Sequence, residues 1–320
     1  MAVTYNAVKS LLWARNLGVS FERTLTLGHL DLWCPPRGLQ RAARDFGLAA
    51  SREEIDRCFR RQTPGALYAD ELFRLLGARE FVSVDHSDYQ GASHLHDLNE
   101  PFPDELRGRF DLVVDGGTLE HVFNYPAALR HCMELVRPGG HFITTDSPAH
   151  NCMGHGFYQL SPELFYRVFS ARNGFAMRKI VLYESALTNS EFYEVKDPAV
   201  TGQRTELNTP RPMLLSVLAQ RVAQVPVLAV PPQESDYAAT WQDSQRSSPP
   251  RAVAHSGLAW RLRVAMRRFM PSWLRRWRNL LAYRRAHGRP TLGNHRHFRR
   301  LSHDEICRER ARPADVSLTP

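Results

Sequence analysis

Residues Phe110–Gly140 read FDLVVDGGTLEHVFNYPAALRHCMELVRPGG. An apolar run, Asp111–Asp115 (DLVVD), ends on a carboxylate, and Gly116-Gly117 follow as a tight turn. Such runs suit a strand buried on both faces of a parallel sheet. Ala127–Val136 then carries apolar residues at helical spacing, and Pro138-Gly139-Gly140 stops it. His141–Thr145 (HFITT) reads as the next strand. Strand, turn, helix and strand in that order predict a βαβ unit, hence an α/β sheet.

The same alternation extends either side. Thr24–His29 (TLTLGH) is a β-rich run ending near Gly28, and Leu67–Leu76 has helical spacing up to Gly77. Glu80–Asp85 (EFVSVD) is a strand ending on a second carboxylate, and Ser93–Leu98 is a short strand candidate. Ser161-Pro162-Glu163 has the form of an N-cap and first turn, opening a helix that stops near Asn173-Gly174. Met177–Tyr183 and Met213–Val222 are further strands, joined by a long polar connection over residues 184–211. From Val225 the text turns rich in Pro, Ser and Gln and reads as a linker. These shifts divide the chain into residues 1–225, a linker over 226–256 and an extension over 257–320.

Composition bounds the function. A 43% hydrophobic fraction supports a sizeable core. Five irregularly spaced cysteines, with no C-x-x-C, argue against a disulfide framework or zinc ribbon and for a reducing cytoplasm. No apolar run is long enough to span a membrane, and the N-terminus has no leader-like stretch. The net charge of +9 is concentrated: Ser244–His303 holds 15 Arg and no Asp, Glu or Lys. Taking 15 from +9 leaves a mildly acidic remainder of −6. Within that window Ala259, Leu262, Met266, Phe269 and Met270 fall on one helical stripe. Beyond Pro271, Trp273, Leu274, Trp277, Leu280 and Leu281 fall on another. A basic amphipathic pair with Trp, within residues 258–300, suits an anionic membrane surface at the inner face of the membrane. Packing on the domain is the second reading and nucleic acid the third.

In an open parallel sheet, ligands bind beyond the carboxyl ends of the strands. Asp85 and Asp115 stand there, although an Asp at a strand end more often caps the next turn. Ser147–Glu163 (SPAHNCMGHGFYQLSPE) gathers His150, Cys152, His155, Tyr158 and Gln159 at the same edge. Three of these, His150, Cys152 and His155, form an incomplete ligand set, so no metal is expected. His121 or His155 as a general base is the better chemistry, since imidazole titrates near neutral pH. The alternative is that these histidines simply bond loop backbone.

With these residues in view, the chain resembles class I S-adenosylmethionine (SAM)-dependent methyltransferases over about residues 20–225. Asp115-Gly116-Gly117, Thr118–Val122 (TLEHV) and Gly139-Gly140 carry the likeness. It implies a Rossmann-like, seven-strand, mostly parallel sheet with its last strand antiparallel and helices on both faces; the basic helical extension read from the charge pattern follows that domain. It also implies S-adenosyl-L-methionine as cofactor. Gly28 would approach the cofactor, Asp85 hold its ribose, and Asp97-Leu98 lie against adenine, with Asp115-Gly116 beside them. The family's glycine-rich first motif is reduced here to Gly28, so His29 and Asp31 would replace backbone contacts to the ammonium group. Roughly 35 residues separate this motif from the next clear helix, and Trp33-Cys34-Pro35-Pro36 within them is a candidate lid or pocket wall.

His121, His155 and Tyr158 would face the acceptor. GHGFYQ and SPELF resemble bacterial enzymes of glycan or sugar modification, so a hydroxyl on a sugar, glycan or lipid-linked small molecule is the expected acceptor. The missing N/D-P-P-Y/F and Pro-Cys motifs argue against amino-group and cytosine methylation of bases, and the missing G-x-G-x-x-G against a dehydrogenase. The rival function is a degenerate, non-catalytic domain acting as a regulator or as a membrane-surface adaptor through its tail. Nothing in the sequence fixes an oligomeric state.

Overall fold

The structure is a computed structural model that describes residues 1–60, 66–186, 189–246, 270–287 and 290–311. The first tail stripe, Ala259 to Phe269, lies outside the described residues.

Two compact units are present. The first comprises Met1–Val195, Thr209–Pro232 and Arg299–Pro320; the second comprises Lys196–Asn208 and Gln233–Phe298. In chain order, the first unit begins with β1 (Ala2–Thr4), α1 (Tyr5–Asn16), β2 (Arg23–Leu27), β3 (Asp31–Trp33), α2 (Pro36–Asp45), α3 (Arg52–Arg57) and α4 (Asp70–Leu76). It continues through β4 (Glu80–Asp85), β5 (His94–Leu95), β6 (Phe110–Asp115), α5 (Tyr125–Leu135), β7 (Val136–His150), α6 (Pro162–Val168), β8 (Phe175–Glu184) and β9 (Phe192–Val195). The second unit supplies α7 (Pro198–Thr201). The first unit resumes with β10 (Met213–Arg221). Then come α8 (Ser235–Arg246) and α9 (Ser272–His287) of the second unit, followed by β11 (Phe298–Leu301) and α10 (His303–Arg308).

The main sheet has nine strands in the order β11-β9-β8-β10-β7-β6-β2-β4-β5. The run from β7 through β6, β2 and β4 to β5 is parallel. Strand β10 is antiparallel to both β7 and β8. The seven strands expected from the sequence are therefore present, with the seventh antiparallel, and β9 and β11 lengthen the sheet beyond β8. Strands β1 and β3 form a small parallel pair apart from it.

Strand β6 sits between β2 and β7, and all six of its residues are buried. That position explains its apolar text between two aspartates, Asp111 and Asp115, and the first of these is neutralised rather than tolerated. Its carboxylate accepts from Arg23 Nε at 2.9 Å, from the Arg23 amide at 3.1 Å and from Arg137 Nε at 2.5 Å. Burial works against the charged form, but the two guanidinium partners outweigh it and hold Asp111 below the ordinary carboxylate range.

Helix α5 starts at Tyr125, with Pro126 in its first turn, and ends at Leu135, three residues before the Pro-Gly-Gly signal. Val136 already pairs with Phe110 of β6, and a bulge carries the chain over Pro138-Gly139-Gly140 before pairing resumes at Leu112–His141. Gly140 is required in that bulge: a Cβ there would lie 2.9 Å from the Phe110 carbonyl and 3.0 Å from those of Arg137 and Asp111. The carbonyls at the end of α5 are satisfied in its stead. Gly108 and Arg109 amides donate to Glu134 and Leu135, and buried Arg221 of β10 donates to Glu134 at 3.1 Å and Val136 at 2.6 Å.

Helix α1, unannounced by the sequence pattern, has ten successive buried residues, Tyr5–Ala14. Buried Lys9 is held by Asn189 Oδ1 at 2.6 Å and the Ser190 carbonyl at 3.1 Å, and burial lowers its pKa to about 8. Helix α10 closes on α1: Ile306 and Cys307 join the core, and Glu309 accepts from Trp13 Nε1 at 3.0 Å and Lys179 Nζ at 2.7 Å. Helix α8 lies within the stretch expected as a linker.

Candidate active site

The carboxyl ends of β2, β4, β6 and β7 converge on two cavities. The larger, about 550 Å³, is lined by Asp85, His86, Asp97, Leu98, Asn99 and Thr118, with His121 at its edge. The smaller, about 390 Å³, is lined by Trp33, Gly116, Gly117, Asp146, His155 and again His121. His121 and Met1 line both.

The turn after β2 is pinned from two sides. Gly28 takes φ +83°, its amide donates to the Val84 carbonyl at 2.6 Å, and its own carbonyl accepts from Thr26 Oγ1 at 2.9 Å. Thr118 Oγ1 donates to the Leu27 carbonyl at 2.6 Å, tying this turn to the turn after β6. Gly116 packs so tightly on Leu30 that a Cβ would come within 2.7 Å of it.

Asp115 lies behind the cavities, 1% exposed. One of its oxygens accepts from the Thr118 and Leu119 amides at 2.9 and 3.3 Å, and the other from Thr144 Oγ1 at 3.0 Å. It thereby folds the Gly116-Gly117 turn. Burial and the neighbouring Glu120 charge raise its pKa to about 7, against the hydrogen bonds that favour the anion. The Leu119–His121 turn follows, with Glu120 fully buried and His121 exposed toward the cavities. The His155 loop folds back over it. The Phe157 amide donates to the Glu120 carbonyl at 2.8 Å, and His155 Nε2 meets Glu120 Oε1 at 3.2 Å. The Glu120 bond raises the His155 pKa despite partial burial, whereas burial lowers that of His121.

Asp146 belongs to this site and was not singled out in the sequence. It takes φ +60°, rare outside glycine, where the register of β7 against β10 slips. That bulge brings its carboxylate to the smaller cavity, where it accepts from Thr4 Oγ1 at 2.9 Å and Tyr183 OH at 3.0 Å. Burial raises its pKa to about 6. The rule that selected Asp85 and Asp115, an acid closing a strand, passes over it, because β7 runs on to His150 and Asp146 sits at a bulge within it. Trp33, 57% exposed, lines the same cavity, from the insertion expected to supply a pocket wall.

Asp85, Asp97 and Leu98 meet in the larger cavity, Gly116 and His155 in the smaller, and His121 in both. Gly28 and Asp115 support the turns behind them. His29 and Asp31 do not line either cavity. His29 is buried, stacked on Tyr68 at 3.8 Å, with its ring nitrogens bonded to the Gln90 carbonyl at 2.7 Å and Asp70 at 2.9 Å. Asp31 pairs in register with Ala2 in the β1–β3 ladder. Tyr158 bonds the Phe123 carbonyl at 2.5 Å and lines neither cavity. His150 Nε2 lies 3.1 Å from the Thr209 carbonyl, and the Cys152 thiol faces backbone carbonyls, so the two do not join His155 in a ligand set.

An open α/β sheet with a crevice at its carboxyl edge is the arrangement in which such sheets bind their ligands. Residues 71–144, which carry Asp85, Asp97, Asp115 and His121, match the family model of a methyltransferase domain. No curated protein sequence matches. Similar solved structures include 1,6-didemethyltoxoflavin-N1-methyltransferase from Burkholderia thailandensis with bound 1,6-didemethyltoxoflavin and S-adenosylhomocysteine. It is 14% identical over 68% of this chain and 78% of that one, with a TM-score of 0.37. An S-adenosylmethionine-dependent methyltransferase from Mesorhizobium loti is 18% identical over 66% and 96% of the two chains, with a TM-score of 0.34.

Proposed function

We propose that the protein transfers a methyl group from SAM to a hydroxyl on a sugar, glycan or lipid-linked small molecule. The observation that carries this reading is the pair of cavities meeting at His121. The larger has the volume and lining for an adenosine: half-buried Asp85 for the ribose diol, Leu98 and Asp97 beside a base. The smaller, with Asp146, His155 and the Trp33 face, would take the acceptor.

SAM supplies a methyl group already activated on a sulfonium. The acceptor oxygen gains that carbon as the carbon–sulfur bond breaks, and the hydroxyl proton must leave. His121, whose pKa partial burial lowers, is the group at the junction able to take it. The remaining work is alignment and exclusion of water, which supplies up to about 7–11 kcal/mol in well-oriented systems. The exposed Trp and Arg side chains of α9, discussed below, favour an anionic surface as a second partner.

The test is calorimetry of the full chain with SAM and S-adenosylhomocysteine, followed by Asp85→Ala. Hydrogen bonds to a charged acceptor are worth about 1.5–3 kcal/mol each, so the variant should bind roughly 10- to 100-fold more weakly. Undiminished binding by Asp85→Ala removes that residue from the site. No binding by the parent chain at millimolar ligand favours the non-catalytic regulator instead.

A further inference from the structure

The mechanism above uses one histidine and leaves the buried acid beneath it unexplained. Glu120 is 0% exposed. His155 meets only its Oε1; among the described residues its buried Oε2 has no hydrogen-bond partner. An ionised carboxylate in that position costs several kcal/mol unless a cation or donor reaches it. Asp115, buried in the same region, adds a second acid rather than a cation.

The surroundings are shaped around that carboxylate. Gly117, at φ +79°, leaves room beside it: a Cβ would lie 3.2 Å from Glu120 Oε1. Gly156, at φ +66°, lets the second loop close down, since a Cβ there would lie 2.8 Å from the Glu120 carbonyl oxygen. This clamp, with the Phe157 amide bond, sets the His155 ring 5.1 Å from the His121 ring. One donor atom each from Glu120, His121 and His155 lie within 4.8 Å of one another.

We propose that Glu120, His121 and His155 bind a divalent first-row transition cation at the wall of the acceptor cavity. From the sequence no metal is expected, because His150, Cys152 and His155 lack a fourth ligand; His150 and Cys152 in fact bond backbone carbonyls instead. Three protein ligands on one side, with open positions toward a cavity, is the form of a catalytic rather than a structural site. Two imidazoles and one carboxylate suit Zn²⁺, Co²⁺ or Fe²⁺ better than Mg²⁺ or Ca²⁺. What the cation does rests on the methyltransferase reading. Bound there, it would lower the pKa of an acceptor hydroxyl and orient it, the task otherwise left to His121 alone.

The probe is Co²⁺, titrated into the metal-free full chain at neutral pH and followed by visible absorption. One saturating band per chain, displaced by Zn²⁺, is expected. His155→Ala, an exposed position whose loss should not unfold the chain, should weaken binding by more than about 100-fold, beyond the loss of an outer partner. Glu120→Gln should do the same, whereas His150→Ala should leave the titration unchanged. No band at millimolar Co²⁺, or a band that survives His155→Ala, overturns the site. SAM calorimetry on the same samples separates the two ideas. SAM binding without a Co²⁺ band refutes only the cation, and a Co²⁺ band without SAM binding refutes only the methyltransferase reading.

Discussion

Tyr183→Phe removes a single oxygen from the support of Asp146, and the structure gives its effect a pH dependence. The Tyr183 hydroxyl donates to Asp146 Oδ1 at 3.0 Å and accepts from the Asp146 amide at 2.9 Å. The tyrosine is fully buried on β8, stacked on Phe192 at 5.0 Å, so phenylalanine keeps the packing. A hydrogen bond to a charged group contributes about 1.5–3 kcal/mol and a neutral one about 0.5–1.5. Asp146 borders a cavity that water can enter, so the lower part of each range applies. At pH 8 the carboxylate is ionised and the loss should be about 2 kcal/mol; at pH 5 it is protonated and the loss should be about 1.

The sign follows from linkage. Burial raises the folded-state pKa of Asp146 to about 6, above an unfolded value of about 3.9. The parent protein therefore loses stability as pH rises through that window, since the folded state holds the proton longer. Removing a donor to the anion raises the folded pKa further, so the variant loses more over the same window. Urea unfolding of both proteins at pH 5 and pH 8, followed by far-UV circular dichroism, measures the difference. Equal destabilisation at the two pH values, or a larger loss at pH 5, would refute the reasoning.

Two further outcomes follow from local geometry. Gly77 and Gly174 both have positive φ, +117° and +72°, but a Cβ meets nothing at Gly77 and lies 2.4 Å from the Ala223 carbonyl at Gly174. Gly77→Ala should cost about 1 kcal/mol from backbone strain alone, and Gly174→Ala about 3 or more, by thermal or urea unfolding; comparable losses would contradict the packing. On α9, Trp273 and Trp277 are 68% and 58% exposed beside exposed Arg275, Arg276 and Arg278. The full chain should float with anionic vesicles at low salt and release at high salt, each Arg contributing about 1 kcal/mol. Trp273→Ser with Trp277→Ser should weaken flotation, and a parent chain that stays in solution at low salt ends the idea.

The sequence was most legible where one environment acts on a whole segment. Strand β6 is buried along its length, and its text is correspondingly apolar. Ser161-Pro162 starts α6 as read, with the Ser161 hydroxyl accepting from the Leu164 amide at 3.3 Å. Helix α1 was invisible for the opposite reason: it is buried around most of its circumference and so lacks the polar face that marks a helix. Strands β9 and β11, four residues each, are too short to show a period. In the site, strand-end position singled out Asp85, which lines the larger cavity, and Asp115, which lies behind it, and did not tell which way each side chain faces. His29 sits in the right turn and points away, because Asp70 and Gln90, distant in sequence, claim both ring nitrogens. Glu120 stood in plain view within TLEHV, yet only the folding of residues 152–157 over it reveals an acid with one oxygen unserved.

The place of β10 between β7 and β8 constrains the order in which the chain can be built. Strand β8 is made before β10 but joins the ladder of the parallel core only through it. On the ribosome, β7 must wait with an open edge while residues 151–212 emerge, and the β8–β9 hairpin has no sheet to join. Arg221, which closes the end of α5, arrives only with the end of β10. Unpaired edges of this kind template misassembly, so the newborn chain is at its most aggregation-prone between the synthesis of β7 and that of β10. A chain cut short before Met213 should not yield a smaller stable domain; it should yield an open sheet and a stranded hairpin, headed for chaperones or proteolysis.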